Sequence, residues 1–249
     1  LELYEQQVIE NGGQVHWARD TEEACQIIAG ICKEAQAKTV TKGKSMVSEE
    51  MHLNPSLEAA GMTVVETDLG EYIVQLAGET PSHIIAPAVH KTREQITDLF
   101  HEHHSPLGYT DRVTQREALV NEARSVLRER FVTADVGITG ANFLVAETGA
   151  NVIVTNEGNG DLTSCLPRVH IVTAGIEKIV PSLDDLAVLL RVLARSATGQ
   201  EFSAYTSLYS GPRRPGDMEG PEAYHVVLLD NGRSRLLGGQ YQAMLRCIR

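Results

Sequence analysis

Apolar residues along this chain switch repeatedly between helical and strand spacing, and the switches set out an alternating order of elements. Ala24, Ile27, Ile28 and Ile31 fall on one helical face. With Asp20 or Thr21 as cap and Glu22 and Glu23 in the first turn, they predict a helix running to about Ala37. A strand follows over residues 39 to 41, then Lys42-Gly43-Lys44-Ser45. A helical stretch comes next, which Ser45 caps, Asn54-Pro55 restarts and Gly61 ends. Residues 63 to 66 and 82 to 86 read as strands, residues 91 to 104 and 114 to 131 as helices. Helix alternating with strand favours an α/β fold whose mainly parallel sheet is covered by helices on both faces, in one domain over residues 1–249.

The pattern is densest from Ala134 to Val180. Residues 134 to 139, 143 to 146 and 152 to 155 are short β-rich runs, and Glu147-Thr148-Gly149-Ala150-Asn151 separates the last two as a hairpin with Glu147 at its tip. The chain then enters Asn156-Glu157-Gly158-Asn159-Gly160-Asp161, residues that tolerate φ > 0 and whose N–H groups suit an anion cradle. Leu183, Leu186, Leu189, Leu190 and Leu193 share one side of a covering helix over residues 183 to 194, with Ser182 as cap. Residues 210 to 216 form an irregular loop, and a strand over residues 225 to 229 ends in Asp230-Asn231-Gly232, a hairpin signal.

TGANFLVAETGANVIVTNEGNGDLTSCLPRVHIV within this segment resembles the core of the LUD (lactate utilisation) domain, in the form carried by lactate-utilisation iron-sulfur proteins. VTKGKSMVSEEM from Val40, VVETDLGEYIVQL from Val64 and SHIIAPAVHKTRE from Ser82 extend the likeness over nearly the whole chain. The resemblance implies a fold similar to the NagB/RpiA/CoA-transferase group, a part in oxidising L-lactate to pyruvate as an oxidoreductase subunit in electron transport, and the other subunits of a lactate-utilisation system as partners. In proteins of this kind a cysteine placed like Cys247 opens a C-x-x-C-x-x-C run that ligates a [4Fe-4S] cluster. A ferredoxin-like iron-sulfur domain is therefore expected after Arg249, with Cys247 a ligand only in the longer protein and no cofactor expected within residues 1–249. One thiolate cannot hold a four-iron cluster.

Composition narrows the partners. The 33 acidic against 22 basic residues give a formal charge of -11, which repels nucleic acid and anionic membranes. No apolar run approaches the length of a membrane span and no signal peptide is present, although a start at Leu1 rather than Met reads as a trimmed terminus. Cys25, Cys32, Cys165 and Cys247 are scattered without a C-x-x-C pair, which fits a reducing cytoplasm. Cys25 and Cys32, seven apart in a helix, read as core residues.

Several stretches offer chemistry. Gly43-Lys44-Ser45 lies between strand and helix like the end of a P-loop, but Lys38 stands where a Walker A motif has glycine. What remains is Lys42, Lys44, Ser45 and free N–H groups at a helix start, a site for a small carboxylate or phosphate, against ordinary solvated lysines beside a cap. Thr139, Gly140, Asn142, Thr148 and Gly149 flank the hairpin, and Asn156, Glu157, Gly158, Asn159 and Gly160 complete the anion site. Gly158-Asn159-Gly160 is no dinucleotide fingerprint, since Thr163 replaces the third glycine and Leu166-Pro167 argues against a following helix. Glu147 at a strand end is the candidate catalytic residue. CoA transferases, which the resemblance makes distant relatives, use a strand-borne glutamate as nucleophile; general base, hydrogen-bond acceptor and structural carboxylate stay open. His101, His103 and His104 suit a helix C-terminus. His83, His90 and His170, in or beside predicted strands, read as hydrogen-bonded core residues rather than ligands, with His90 and His170 of interest if they meet Glu147.

Three functions compete: a substrate- or partner-binding module passing electrons to downstream clusters, a non-catalytic docking platform in a multi-subunit complex, and a CoA- or acyl-transferase-like enzyme built on Glu147. Glu147, the Asn156–Asp161 run and the Lys42–Ser45 helix start all sit at the ends of predicted strands, where open α/β sheets place ligands, and are expected to open at a common cleft.

Overall fold

The computed structural model describes residues 1–83 and 86–246. In chain order the elements are α1 (Glu2–Glu10), β1 (Gln14–Ala18), α2 (Thr21–Glu34), β2 (Thr39–Gly43), α3 (Met46–Glu50), α4 (Leu53–Ala59), β3 (Thr63–Glu66), α5 (Leu69–Leu76), α6 (Arg93–His104) and α7 (Arg116–Thr133). They continue with β4 (Val136–Gly140), β5 (Phe143–Val145), β6 (Ala150–Thr155), α8 (Asn159–Cys165), β7 (Val169–Gly175), β8 (Ile179–Val180), α9 (Leu183–Thr198), β9 (Tyr205–Tyr209), β10 (Ala223–Leu229) and α10 (Arg233–Leu236). Among the described residues, six strands form one sheet in the order β1-β10-β7-β4-β2-β3. Every pairing in it is parallel, as the alternating pattern requires.

A second sheet, β8-β5-β6-β9, carries the hairpin. Phe143 pairs with Val152 and Val145 with Ala150, so Glu147 sits in the turn as the spacing predicts. The hairpin is buried on both sides, and the period of two decides what each residue meets. Leu144 packs with Val172, Tyr224, Val226 and the α1 residues Tyr4 and Val8. Phe143, Val145, Ala150 and Val152 pack instead with Leu186 and Leu193 of α9. One face of the parallel sheet is thus covered by α2, α3 and α4. The other is covered partly by helices and partly by the hairpin sheet.

Local chemistry fixes most helix starts. Asp20, Ser45 and Ser182 each accept a bond from the backbone N–H three residues on, as read from the sequence. Other expectations need correction. Of the strand expected over residues 82 to 86, Ile84 and Ile85 lie outside the described residues, and Ser82 and His83 form a bend. Asn231-Gly232 does not turn a hairpin; both residues are left-handed and lead from β10 into α10. The helix argued against after Gly158 exists as α8, because Pro167 comes late enough to end one short helix rather than prevent it. That helix lies close over β4: a Cβ on Gly137 would stand 1.9 Å from the carbonyl oxygen of Thr163.

Candidate functional site

The parallel sheet reverses direction of growth between β2 and β4, since β3 lies on one side of β2 while β4, β7 and β10 succeed one another on the other. A crevice at the carboxyl ends of strands is expected at such a point. A cleft of about 380 Å³ opens there, lined by Lys44 and Ser45 after β2, Asp68 and Glu71 after β3, Asn142 after β4, and Thr155, Asn156 and Glu157 at the end of β6. Leu193, Ala194 and Ala197 of α9 close the apolar side, and Gln200 and Ser203 follow from the next loop.

Lys44 is the centre of this cleft. Its backbone sits at φ 60°, in the left-handed region that costs a residue with a Cβ about 1 to 2 kcal/mol. The close approach of β4 holds it there, because a Cβ on Gly140 would lie 2.3 Å from the Lys44 carbonyl oxygen. Lys44 Nζ donates to Asp68, and Glu157 Oε2 stands 3.7 Å away. Burial works against the ammonium charge, but Asp68 and Glu157 outweigh it and raise its pKa. Burial in turn raises the pKa of Glu157, with Lys44 opposing that rise.

Glu71 is half-buried, and its Oε2 is fully buried without a hydrogen-bond partner. Desolvation, helped by the carboxylates of Glu66 and Asp68, pushes its pKa up to about 8, so at neutral pH it holds a proton. The folded pKa lies above the 4.5 of an ordinary glutamate, so the native state keeps a proton that the unfolded chain releases. Its contribution to stability is complete below about pH 4.5 and is lost as pH rises to about 8. Glu71→Gln should therefore match the wild type near pH 4.5 and exceed it above pH 8 by about 1 to 3 kcal/mol, the partial exposure reducing the full linkage value. Urea melts across that range check this, and parallel curves for the two proteins would contradict it.

The expected site residues divide into those the fold gathers and those it does not. Lys44, Ser45, Asn142, Asn156 and Glu157 line the cleft together. Ser45 Oγ is also bonded to Thr173 Oγ1 at 2.7 Å, which ties the cleft to β7. Asn142 Oδ1 accepts from the Val154 N–H at 2.8 Å, which leaves its Nδ2 as a donor. Lys42 is enclosed behind Glu71 rather than open to the cleft, only 1% exposed, with Glu49 and Glu66 at 2.8 Å and Ser48 Oγ at 3.0 Å. It does not line the cleft; in a continued strand Lys42 and Lys44 would share a face, but β2 ends at Gly43 and the left-handed Lys44 breaks the alternation.

Residues 156–161 do not form an open cradle of positive-φ residues either; none of them is left-handed. Asn156 bonds Gln200 and the Ala204 N–H, Asn159 donates to Thr67 O and to Glu157, and Asp161 accepts from Ser207 and Tyr209. Gly158 precedes α8 and Gly160 lies inside it, facing Ile153. Thr139 is buried, 2.8 Å from His170 Nε2.

Glu147 lies at the other end of the hairpin, about 10 Å along the strand from Asn142. It is not a cleft residue: its Oε1 accepts from the Leu183 N–H at 2.6 Å, at the start of α9. Thr148 and Gly149 are at the same tip, with Thr148 O accepting from Asn11 and Gly149 packed on Gln7 and Val8 at φ 68°. The histidines do not converge on it. His90 bonds Ser82 and Glu79, while His170 is enclosed by Tyr209 and Tyr224, and its burial lowers its pKa to about 3. His104, read as a helix-end residue, is buried between Tyr72 OH at 2.9 Å and Glu122 at 2.8 Å. Cys25 and Cys32 are buried as core residues and Cys165 lies on α8. Cys247 lies outside the described residues. Among the described residues no three His, Cys, Asp or Glu side chains gather as metal ligands.

Sequence reading missed Asp68 and Glu71. Asp68 left a trace, since Asp68-Leu69-Gly70 starts a helix with Asp68 Oδ1 accepting from the Gly70 N–H at 3.0 Å. Glu71 left none, because its perturbation comes from groups brought together only by the fold.

A model of the LUD domain matches residues 1–229. The whole chain aligns with Lactate utilization protein B of Geobacillus kaustophilus at 49% identity, and with those of Bacillus licheniformis at 49% and Bacillus subtilis at 47%. It covers 52% of each, so the chain spans about half the length of these curated relatives. A crystal structure of a DUF162 family protein from Deinococcus radiodurans aligns over 92% of this chain and 94% of that one, with a TM-score of 0.46 and 13% identity. Among the described residues no helix is long and apolar enough to cross a membrane.

Proposed function

Because the chain belongs to the LUD domain family, we propose that it serves lactate utilisation as the substrate-side domain of a cytoplasmic oxidoreductase subunit that works with other subunits of that system. Its cleft holds a small 2-hydroxy or 2-oxo acid, L-lactate or pyruvate, and [4Fe-4S] clusters in the remainder of a longer protein carry the electrons. The observation that carries this reading is the left-handed Lys44 at the switch point of the sheet, held between two carboxylates in a cleft of small-molecule size.

Lys44 Nζ and Asn142 Nδ2 supply donors for the acid's carboxylate, and Asp68 or Glu157 accepts from its hydroxyl. The protonated Glu71 adds no negative charge at neutral pH. Affinity for the acid should therefore fall as pH rises through about 8, when Glu71 ionises. The docking-platform alternative requires no such lysine. The transferase alternative is disfavoured by Glu147, which lies outside the cleft with its Oε1 bonded to the Leu183 N–H at the start of α9.

A charge-assisted contact contributes about 1.5 to 3 kcal/mol, so Lys44→Ala should weaken L-lactate or pyruvate binding roughly tenfold to a hundredfold in titration calorimetry. Unchanged affinity would remove the lysine from the binding site.

A further inference from the structure

A second concavity of about 900 Å³ runs between α7 and α8, and its character differs from that of the cleft. Leu69, Leu127 and Phe131 form much of its floor, with Leu162 of α8 and Leu166, which caps that helix, along one wall. Four large aliphatic residues that line it remain open to solvent: Val120 at 38%, Leu162 at 41%, Leu166 at 43% and Val132 at 68%. Scattered singly, such residues mean little, but contiguous exposed apolar surface marks a binding site. From Val120 to Val132 the α7 wall is about 18 Å long, enough for an extended chain.

The charge is equally distinctive. Arg124 and Arg128, one helical turn apart, line the groove, and neither has a carboxylate partner among the described residues. The one carboxylate in the lining is Glu157, which already faces Lys44 Nζ at 3.7 Å. In a chain of net charge -11 this is a local positive field over an apolar floor. Glu157 also lines the small-acid cleft, so the two sites adjoin.

We propose that the α7–α8 groove binds an amphiphilic anion, an organic molecule with an extended apolar body and a phosphate or carboxylate head, the body lying on Leu127, Phe131 and Leu162 and the head on Arg124 and Arg128. The site is independent of whether the neighbouring cleft takes lactate. Arginine suits either head, because its fork of N–H donors meets two oxygens at once.

Displacement of the fluorescent anion anilinonaphthalene sulfonate tests the assignment on the intact chain. Dodecyl phosphate and dodecanoate, below their micellar concentrations, distinguish the two heads; dodecanol removes the charge, and ADP supplies phosphates on a polar body. One or both dodecyl anions should displace the probe saturably, at least tenfold better than dodecanol or ADP, and with affinity that falls as salt rises. Arg124→Ala/Arg128→Ala, both exposed positions, should weaken the anion at least tenfold, whereas Arg191→Ala/Arg195→Ala on α9 should not. Val132→Asp should weaken it as well, through charge in the groove. No saturable displacement below about 1 mM, equal binding of dodecanol, or full affinity in the Arg124/Arg128 variant would each overturn the proposal. So would binding of another protein through this groove with no small anion bound.

Discussion

Replacing Lys42 with methionine should destabilise the fold by about 3 to 5 kcal/mol, although lysine is ordinarily a surface residue whose loss costs little. Lys42 is enclosed between β2, β3 and α3, with Glu66 and Glu49 at 2.8 Å. Burial opposes its charge, yet the two glutamates outweigh burial and raise its pKa. Removing the ammonium leaves Glu66, 4% exposed in its side chain, as an uncompensated buried carboxylate with only Asn54 Nδ2 to bond it. The large term is the stranded charge, so Lys42→Met/Glu66→Gln should recover most of the loss. Chemical denaturation of both proteins checks this. A single variant as stable as wild type, or a double variant no better than the single, would contradict it.

The second large effect falls on Gly137. An added methyl group there would meet the Thr163 carbonyl oxygen at 1.9 Å and the ring of Pro167 at 3.1 Å. Backbone cannot yield as a side-chain tip does, so α8 must lift from β4, and Gly137→Ala should cost about 3 kcal/mol. The contrast is Gly30 within α2, where an added Cβ meets nothing within 4 Å. There the same substitution should stabilise by about 0.5 to 1 kcal/mol through helix propensity. Urea midpoints moving in opposite directions for the two alanine variants bear out the close packing of α8. Similar midpoints would not.

These residues also indicate what a sequence can and cannot convey. Helix caps are local chemistry, so Asp20, Ser45 and Ser182 were legible from residue type and position. The parallel sheet was legible because strands buried on both faces become apolar runs between helical segments. The partner of a charge was not, since Lys42 and Glu66 are joined only by the register of β2 on β3. Glycine is equally ambiguous. Gly158 and Gly160 suggested an open loop, whereas Gly160 lies within α8, packed against Ile153. The helix α5 escaped notice because the eight residues LGEYIVQL make only about two turns, too few for a helical period to stand out from a strand. Its start carries Asp68 and Glu71, so the same omission hid one wall of the cleft.

Lys44, paired with Asp68 and beside Glu71, supports the central claim that a small hydroxy or oxo acid binds at the carboxyl ends of β2 and β4. Amide chemical-shift mapping with L-lactate and with pyruvate on the intact chain tests it most directly. The account predicts saturable shifts concentrated at Lys44, Ser45, Asn142, Asn156 and Glu157, diminished in Lys44→Ala, with none at the hairpin tip around Glu147. Shifts gathered at Glu147, Thr148 and Gly149 instead, or no saturable shift with either acid, would contradict it.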